Sequence, residues 1–257
     1  MTITTLFFRL ISYAKYYIKA QSDLYIHSPF IYEWMKHLMV FRAKSYSNIN
    51  RYRASLDKNT NSIAFKNQGE EKITTVRVRY MNTSISDDYG KILQATASYI
   101  KASNFLELGT SLGVSTAYIH AANSNIEGIT IDANSQTSTL ASYLFDSLLS
   151  PHKVTFEIGI FKDVIHEILK KTKPIDFVFI DGDHKLESTL HYLEILMPNL
   201  AENAVVVLDD IRWSPDMYKA WLRACLYTDF NYAIDFGRMG ILFKVNNHSP
   251  KQYFTIH

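Results

Sequence analysis

"NFLELGTSLGVSTAYI" spans residues 104–119 and decides the fold. A short apolar run, Asn104 to Leu108, predicts a strand. Gly109 and Gly113 flank a tight turn, and Ser115 and Thr116 are placed to cap the helix that follows. Glycine lets a backbone approach a ligand closely, and a helix N-terminus offers free N–H groups. A strand, a glycine turn and a helix in this order open a doubly wound α/β sheet.

Outward toward the C-terminus the pattern repeats. Strands are expected at 128–132, 154–158, 175–181 and 204–210, with helices in the gaps. One helix, "KLESTLHYLEILM", carries Leu186, Leu190, Leu193 and Met197 on one stripe. Another, "SPDMYKAWLRACL", has Ser214 as cap and Pro215 in its first turn. Continuous apolar strands separated by helices mean a parallel sheet buried on both faces. The last two strands, "YAIDF" (232–236) and "GILFKV" (240–245), are too close for a helical crossover. They predict an antiparallel hairpin. The fold class is α/β: a doubly wound, seven-stranded, Rossmann-like sheet with a terminal antiparallel hairpin.

Outward toward the N-terminus, residues 1–75 read as a helical extension with a polar loop, and 76–257 as the α/β domain. "LFFRLISYAKYYI" puts Phe7, Leu10, Ile11, Ala14 and Ile18 on one helical stripe. A second helix starts at Pro29 with Ser28 as cap. Residues 57–72 are polar and read as a mobile loop. "SDDYGKILQATASYI" begins with Ser86 and two acids, as a capped helix should. Arg77 and Arg79 would share one face if that segment were extended. They then suit an acidic substrate group or plain solvation. Tyr25, His27, Phe30, Tyr32 and Trp34 are either aromatic walls of a site or ordinary packing.

The 257 residues suffice for one α/β domain with an appendage. A formal charge of +2 argues against an extended nucleic-acid surface. The single cysteine, Cys225, leaves no internal disulfide and no CxxC motif, and it reads as a small core residue. The first residues lack an uninterrupted apolar h-region, and no stretch approaches a membrane span. The expectation is a cytoplasmic protein. One basic-aromatic helix weighs little for a membrane surface, so membrane association is not expected. A homodimer stays open.

The glycine loop reads E-x-G-x-x-x-G, wider than the G-x-G-x-x-G that suits a pyrophosphate. The next strand ends in Asp132, placed to accept hydrogen bonds from two ribose hydroxyls. "LELGTSLGVSTAYI" with "ITID" resembles the first two motifs of class I S-adenosylmethionine-dependent methyltransferases, over about residues 86–257. The resemblance implies that Glu107, Gly109, Ser111 and Gly113 line the methionine end and that Asp132 holds the ribose. It places Gly159, Ile160 and Phe161 near the adenine, and Asp181 beside the cofactor pocket.

"FVFIDGDHK" ends one strand at Asp181, and "VVVLDD" ends the next at Asp209 and Asp210. Ligands of doubly wound sheets sit at such carboxyl ends. Three carboxylates converging there repel unless a cation joins them, and hard ions such as Mg²⁺ favour oxygen ligands. The arrangement is similar to metal-dependent small-molecule O-methyltransferases of the catechol and the antibiotic-sugar types. That resemblance implies Asp181, Asp209 and Asp210 as metal ligands, and His184 or Asp183 as the base. The catechol type has Asp-Asn where this chain has Asp209-Asp210, and a lysine at the place of His184. Asp183 could instead cap a helix, and Asp210 could pair with Arg212. A narrower resemblance, in "IHSPFIYEWM", "LDDIRWSPDMYKAW" and "GRMGILFKV", is to methyltransferases of Bacteroidetes-type bacteria. The implied function is Mg²⁺-assisted O-methylation of a small hydroxylated molecule. The alternatives are a non-catalytic S-adenosylmethionine-binding protein and an RNA or protein methyltransferase.

Overall fold

Buried aliphatic runs and capped helices set the elements of the computed structural model, which describes residues 3–21, 26–67, 70–246 and 249–257. In chain order these are α1 (Ile3–Lys19), α2 (Pro29–Arg42), α3 (Ser47–Asp57), β1 (Ser62–Asn67), β2 (Glu70–Thr75), α4 (Val76–Thr83) and α5 (Asp87–Tyr99). Then follow β3 (Asn104–Leu108), α6 (Val114–His120), β4 (Glu127–Asp132), α7 (Ser135–Leu148), β5 (Lys153–Ile158) and α8 (Phe161–Leu169). The last are β6 (Ile175–Ile180), α9 (Leu186–Leu196), β7 (Leu200–Leu208), α10 (Pro215–Ala224), β8 (Tyr232–Phe236), β9 (Met239–Lys244) and β10 (Gln252–Thr255). The seven strands β3 to β9 are those of a doubly wound, Rossmann-like sheet with its antiparallel hairpin, and β10 is an eighth.

The chain packs as two compact units, Met1–Lys36 with Thr172–His257, and His37–Lys171. The first 36 residues therefore group with the C-terminal half, and residues 37–75 with the glycine loop.

In the His37–Lys171 unit, β3, β4 and β5 run parallel, in that order. Ser86 caps α5 by accepting from the Tyr89 N–H, as expected, and Asp87 and Asp88 sit in its first turn. The polar stretch expected as a loop is instead the antiparallel hairpin β1–β2. It is tied to the start of α7: the Ala64 N–H donates to Gln136 Oε1 at 2.7 Å, and Asn134 Nδ2 donates to the Ala64 carbonyl at 3.0 Å. Composition hid this strand pair because side chains elsewhere satisfy its edge. The segment with Arg77 and Arg79 is helical, not extended, so these two residues diverge. Arg77 pairs with Asp57 at 3.5 Å, and Arg79 stacks over Phe65 at 4.8 Å.

In the other unit the order is β10-β8-β9-β7-β6. β6 and β7 are parallel, β9 is antiparallel to both β7 and β8, and β10 adds parallel to β8. Val205 to Leu208 and Phe177 to Ile180 are buried on both faces. The buried stripe of α9 is Thr189, Tyr192, Leu193 and Leu196. It shares only Leu193 with the expected stripe. Ser214 caps α10, as expected. Phe30 stacks on Tyr232 at 4.7 Å, and Trp34 meets Phe236 and Phe243 edge-on. Both are packing residues; Tyr32 is exposed, and Tyr25 lies outside the described residues. Burial raises the Cys225 thiol to about 12, as suits an inert core residue. No helix among the described residues is long and apolar enough to cross a membrane.

Candidate active site

The glycine loop is built by two left-handed glycines and one strained serine. Gly109, Gly113 and Ser111 all have positive φ, at 116°, 71° and 46°. A Cβ on Gly113 would lie 2.6 Å from the Tyr52 hydroxyl, which itself donates to the Leu112 carbonyl at 2.9 Å. Gly113, not Ser115 or Thr116, is the N-cap of α6. Ser115 and Thr116 lie inside the helix and turn back toward Glu107.

Glu107 is fully buried. One of its oxygens accepts from the Thr116 and Thr130 hydroxyls, the latter at 2.5 Å. The other is buried and has no hydrogen-bond partner among the described residues. Burial is the main cause that lifts the carboxyl to about 7, against the hydroxyls that donate to it.

Asp132 organises the loop. One of its oxygens accepts from the Ser111 N–H at 2.7 Å and the other from the Asn134 N–H at 2.8 Å. A carboxylate keeps further lone pairs for ligand hydroxyls. Asp132 lines a cavity of about 410 Å³ with Phe65, Arg79 and Asn134 among its walls. Gly159 donates its N–H to the Asp132 carbonyl at 2.9 Å, and a Cβ there would lie 2.5 Å from Val164. Ile160 caps α8 and is exposed, and Phe161 is its first residue.

In the other unit, the ends of β6 and β7 carry the acids. Asp181, His184 and Asp210 offer ligand atoms that all lie within 4.8 Å of one another. His184 Nε2 is 3.6 Å from Asp181 and 4.0 Å from Asp210. His184 Nδ1 is buried and has no hydrogen-bond partner among the described residues. Asp181 and Asp210 are a suitable pair of oxygen donors for a divalent cation, with the His184 imidazole beside them.

Asp209 goes elsewhere. It is fully buried, and Arg238 donates to both its oxygens, at 2.8 and 2.6 Å. Arg238 Nε is also 3.1 Å from Asp210. Burial pushes the Asp209 carboxyl up, and the Arg238 guanidinium opposes that shift. Burial also works against the charge on Arg238, but Asp209 and Asp210 outweigh it and raise its pKa. Arg212, which the sequence offers to Asp210, instead pairs with Asp235 at 2.6 Å.

Asp183 is turned away as well. It accepts from the Tyr192 hydroxyl at 3.3 Å and lies 3.6 Å from Lys185. His184, not Asp183, therefore stands in the acidic cluster. Sequence reasoning missed Arg238 and Tyr52. "GRM" reads as a hairpin turn, and nothing in its spacing announces a partner for Asp209.

Residues 106–211 match a family described as a methyltransferase domain. A catechol O-methyltransferase of Niastella koreensis is 31% identical over 102 residues, which cover 39% of this chain and 46% of that protein. The chain thus matches less than half the length of that curated relative. An O-methyltransferase from Bacillus cereus, solved with SAH, superposes with a TM-score of 0.59 at 18% identity, over 79% of this chain and 93% of that one. The O-methyltransferase TomG from Streptomyces achromogenes, solved with SAM, gives 0.60 at 18% identity, over 79% and 92%. These structures share the fold.

Proposed function

We propose that this chain, whose residues 106–211 match a methyltransferase-domain family, moves a methyl group from S-adenosylmethionine to a hydroxyl of a small molecule with the help of Mg²⁺. The observation that carries the reading is the cluster of Asp181, His184 and Asp210 at the ends of two parallel strands. Such strand ends are where doubly wound sheets bind ligands.

In this reading the glycine loop, with Gly109, Ser111 and Gly113, receives the methionine part of the donor. Asp132 binds the ribose hydroxyls, and Gly159, Ile160 and Phe161 border the adenine. Glu107 shapes the loop from beneath through Thr116 and Thr130.

Methyl transfer is an in-line displacement: the new C–O bond forms as the C–S bond breaks, and the hydroxyl proton must leave. The protein's main task is position. Asp181 and Asp210 would hold the cation, which supplies a lowered pKa to the acceptor hydroxyl. His184 Nε2 accepts the proton. Asp183 is the weaker candidate for base because Tyr192 and Lys185 engage it.

Titration calorimetry with S-adenosylmethionine, with and without Mg²⁺, tests the reading on wild type and Asp210→Asn. The donor should bind both proteins, and the cation should bind the variant at least about tenfold more weakly. Equal cation binding by the two would remove Asp210 from the site. A screen of catechols, sugars and hydroxylated lipids for methyl acceptance then identifies the acceptor class.

A further inference from the structure

α1 is amphipathic, but its apolar stripe faces outward. At the helical period, Ser12 and Tyr16 lie on one side and Phe7, Leu10, Ile11, Ala14 and Ile18 on the other. Ser12 and Tyr16 are the buried pair. Phe7 is 65% exposed, Leu10 63% and Ile18 84%. The helix is held by polar anchors instead. Tyr16 donates its hydroxyl proton to the Ile256 carbonyl at 2.5 Å, and Arg212 Nε donates to the Ser12 carbonyl at 3.4 Å. The stripe thus stays largely in water, and a contiguous apolar face in water marks an interaction site.

Phe8, on the flank of α1, reaches α10, which has exposed apolar residues of its own. Phe8 meets Tyr218 of α10 at 6.1 Å between ring centroids. Leu222, one turn further along α10, is exposed, and so is Leu226 beyond its end.

The charges indicate what covers this face. α1 contains Arg9, Lys15 and Lys19 and no acid. Arg9 stacks over Trp213 at 4.9 Å. Lys15 and Lys19 are exposed beside the stripe, and among the described residues no carboxylate forms an ion pair with either. A second copy docked antiparallel across this stripe would bring lysines to the same side as lysines. An anionic lipid surface accepts both the apolar stripe and the flanking cations. Tyr17, also exposed, has the amphipathic ring favoured at the headgroup level.

We propose that α1 is an interfacial helix that seats this protein on an anionic membrane surface, with Phe7, Leu10, Ile11 and Ile18 in the acyl boundary and Lys15 and Lys19 among the headgroups. The sequence weighs against this because one short basic helix is a weak signal; the outward direction of the stripe is what reverses the balance.

Co-sedimentation of the full chain with vesicles tests it. The vesicles are pure phosphatidylcholine or an equal mixture of phosphatidylcholine and phosphatidylglycerol. Wild type should favour the mixed vesicles, and added salt should weaken that preference. Lys15→Gln with Lys19→Gln should lower binding to mixed vesicles roughly thirtyfold. Leu10→Ser with Ile18→Ser should lower binding to both vesicle types by about tenfold or more. Circular dichroism of each variant should match wild type, since all four side chains are exposed. Failure of wild type to sediment with mixed vesicles overturns the proposal, as do variants that bind like wild type. A dimer in sedimentation velocity that Leu10→Ser with Ile18→Ser abolishes would assign the stripe to a second copy and overturn it too.

Discussion

Arg238 holds Asp209 by two hydrogen bonds, at 2.8 and 2.6 Å, from the turn between β8 and β9. The same turn accepts the Ile211 N–H at the Arg238 carbonyl, 3.0 Å away. Asp209 in turn accepts the Asp210 N–H at 2.7 Å, while Asp210 takes a left-handed φ of 50°. The terminal hairpin therefore anchors the loop that presents Asp210. A guanidinium supplied by the chain itself offsets much of the cost of burying the first of two adjacent acids.

Arg238→Ala leaves Asp209 buried without its guanidinium, whereas Asp209→Ala leaves Arg238 beside Asp210 at 3.1 Å. Arg238→Ala should lower stability by about 3–5 kcal/mol in urea melts, and Asp209→Ala by less. The double variant should lose clearly less than the sum of the two. Additive losses would mean that the two side chains do not act on each other.

The two adjacent acids should differ toward a cation. Mn²⁺ titration should show at least about tenfold weaker binding for Asp210→Asn and only a small change for Asp209→Asn. Comparable losses would place Asp209 among the ligands despite Arg238.

Glu107 should make stability depend on pH. Its folded-state carboxyl titrates near 7, above the ordinary value of 4.5. Its contribution is therefore fully present below about 4.5 and is lost as pH rises through about 7. Glu107→Gln removes that dependence. Relative to wild type, the variant should gain up to about 3 kcal/mol between pH 4 and pH 8. Parallel stability curves for the two proteins would show that Glu107 does not take up a proton on folding.

Tyr52 and Gly113 should be coupled. Gly113→Ala puts a methyl against the Tyr52 hydroxyl and forces alanine to a φ of 71°. The left-handed strain alone costs about 1–2 kcal/mol. Removing the hydroxyl with Tyr52→Phe should relieve the steric part, so Gly113→Ala should cost less in that background than in wild type. Thermal melts of the single and double variants measure this; equal costs would mean that the hydroxyl moves aside freely.

His184 and Asp183 should separate kinetically once an acceptor is known. His184→Asn should lower kcat by about a hundredfold or more with little change in donor affinity. Asp183→Asn should have a small effect, because Asp183 faces Tyr192 and Lys185. The reverse order would transfer the role of base to Asp183.

The seven strands β3 to β9, their order along the chain, the glycine turn and the closing hairpin were legible in the sequence. Local hydrophobic runs and turn residues decide them, and these act over a few neighbours. Asp132, Asp181 and Asp210 could be placed at strand ends for the same reason. Not legible were the hairpin β1–β2, the added strand β10, the helix carrying Arg77 and Arg79, the outward stripe of α1 and the partner of Asp209. A helix of 17 residues with an apolar stripe reads the same whether that stripe meets a core or solvent. Only the anchors Ser12 and Tyr16, reached by Arg212 and by the Ile256 carbonyl, decide which side turns in. In the same way, "LDD" and "GRM" are separated by most of two elements, and no local rule pairs them. Periodicity and turn chemistry settle what each segment is. Which charge neutralises which, and which faces stay in water, follows from contacts between residues far apart in the chain, so tertiary packing alone decided them.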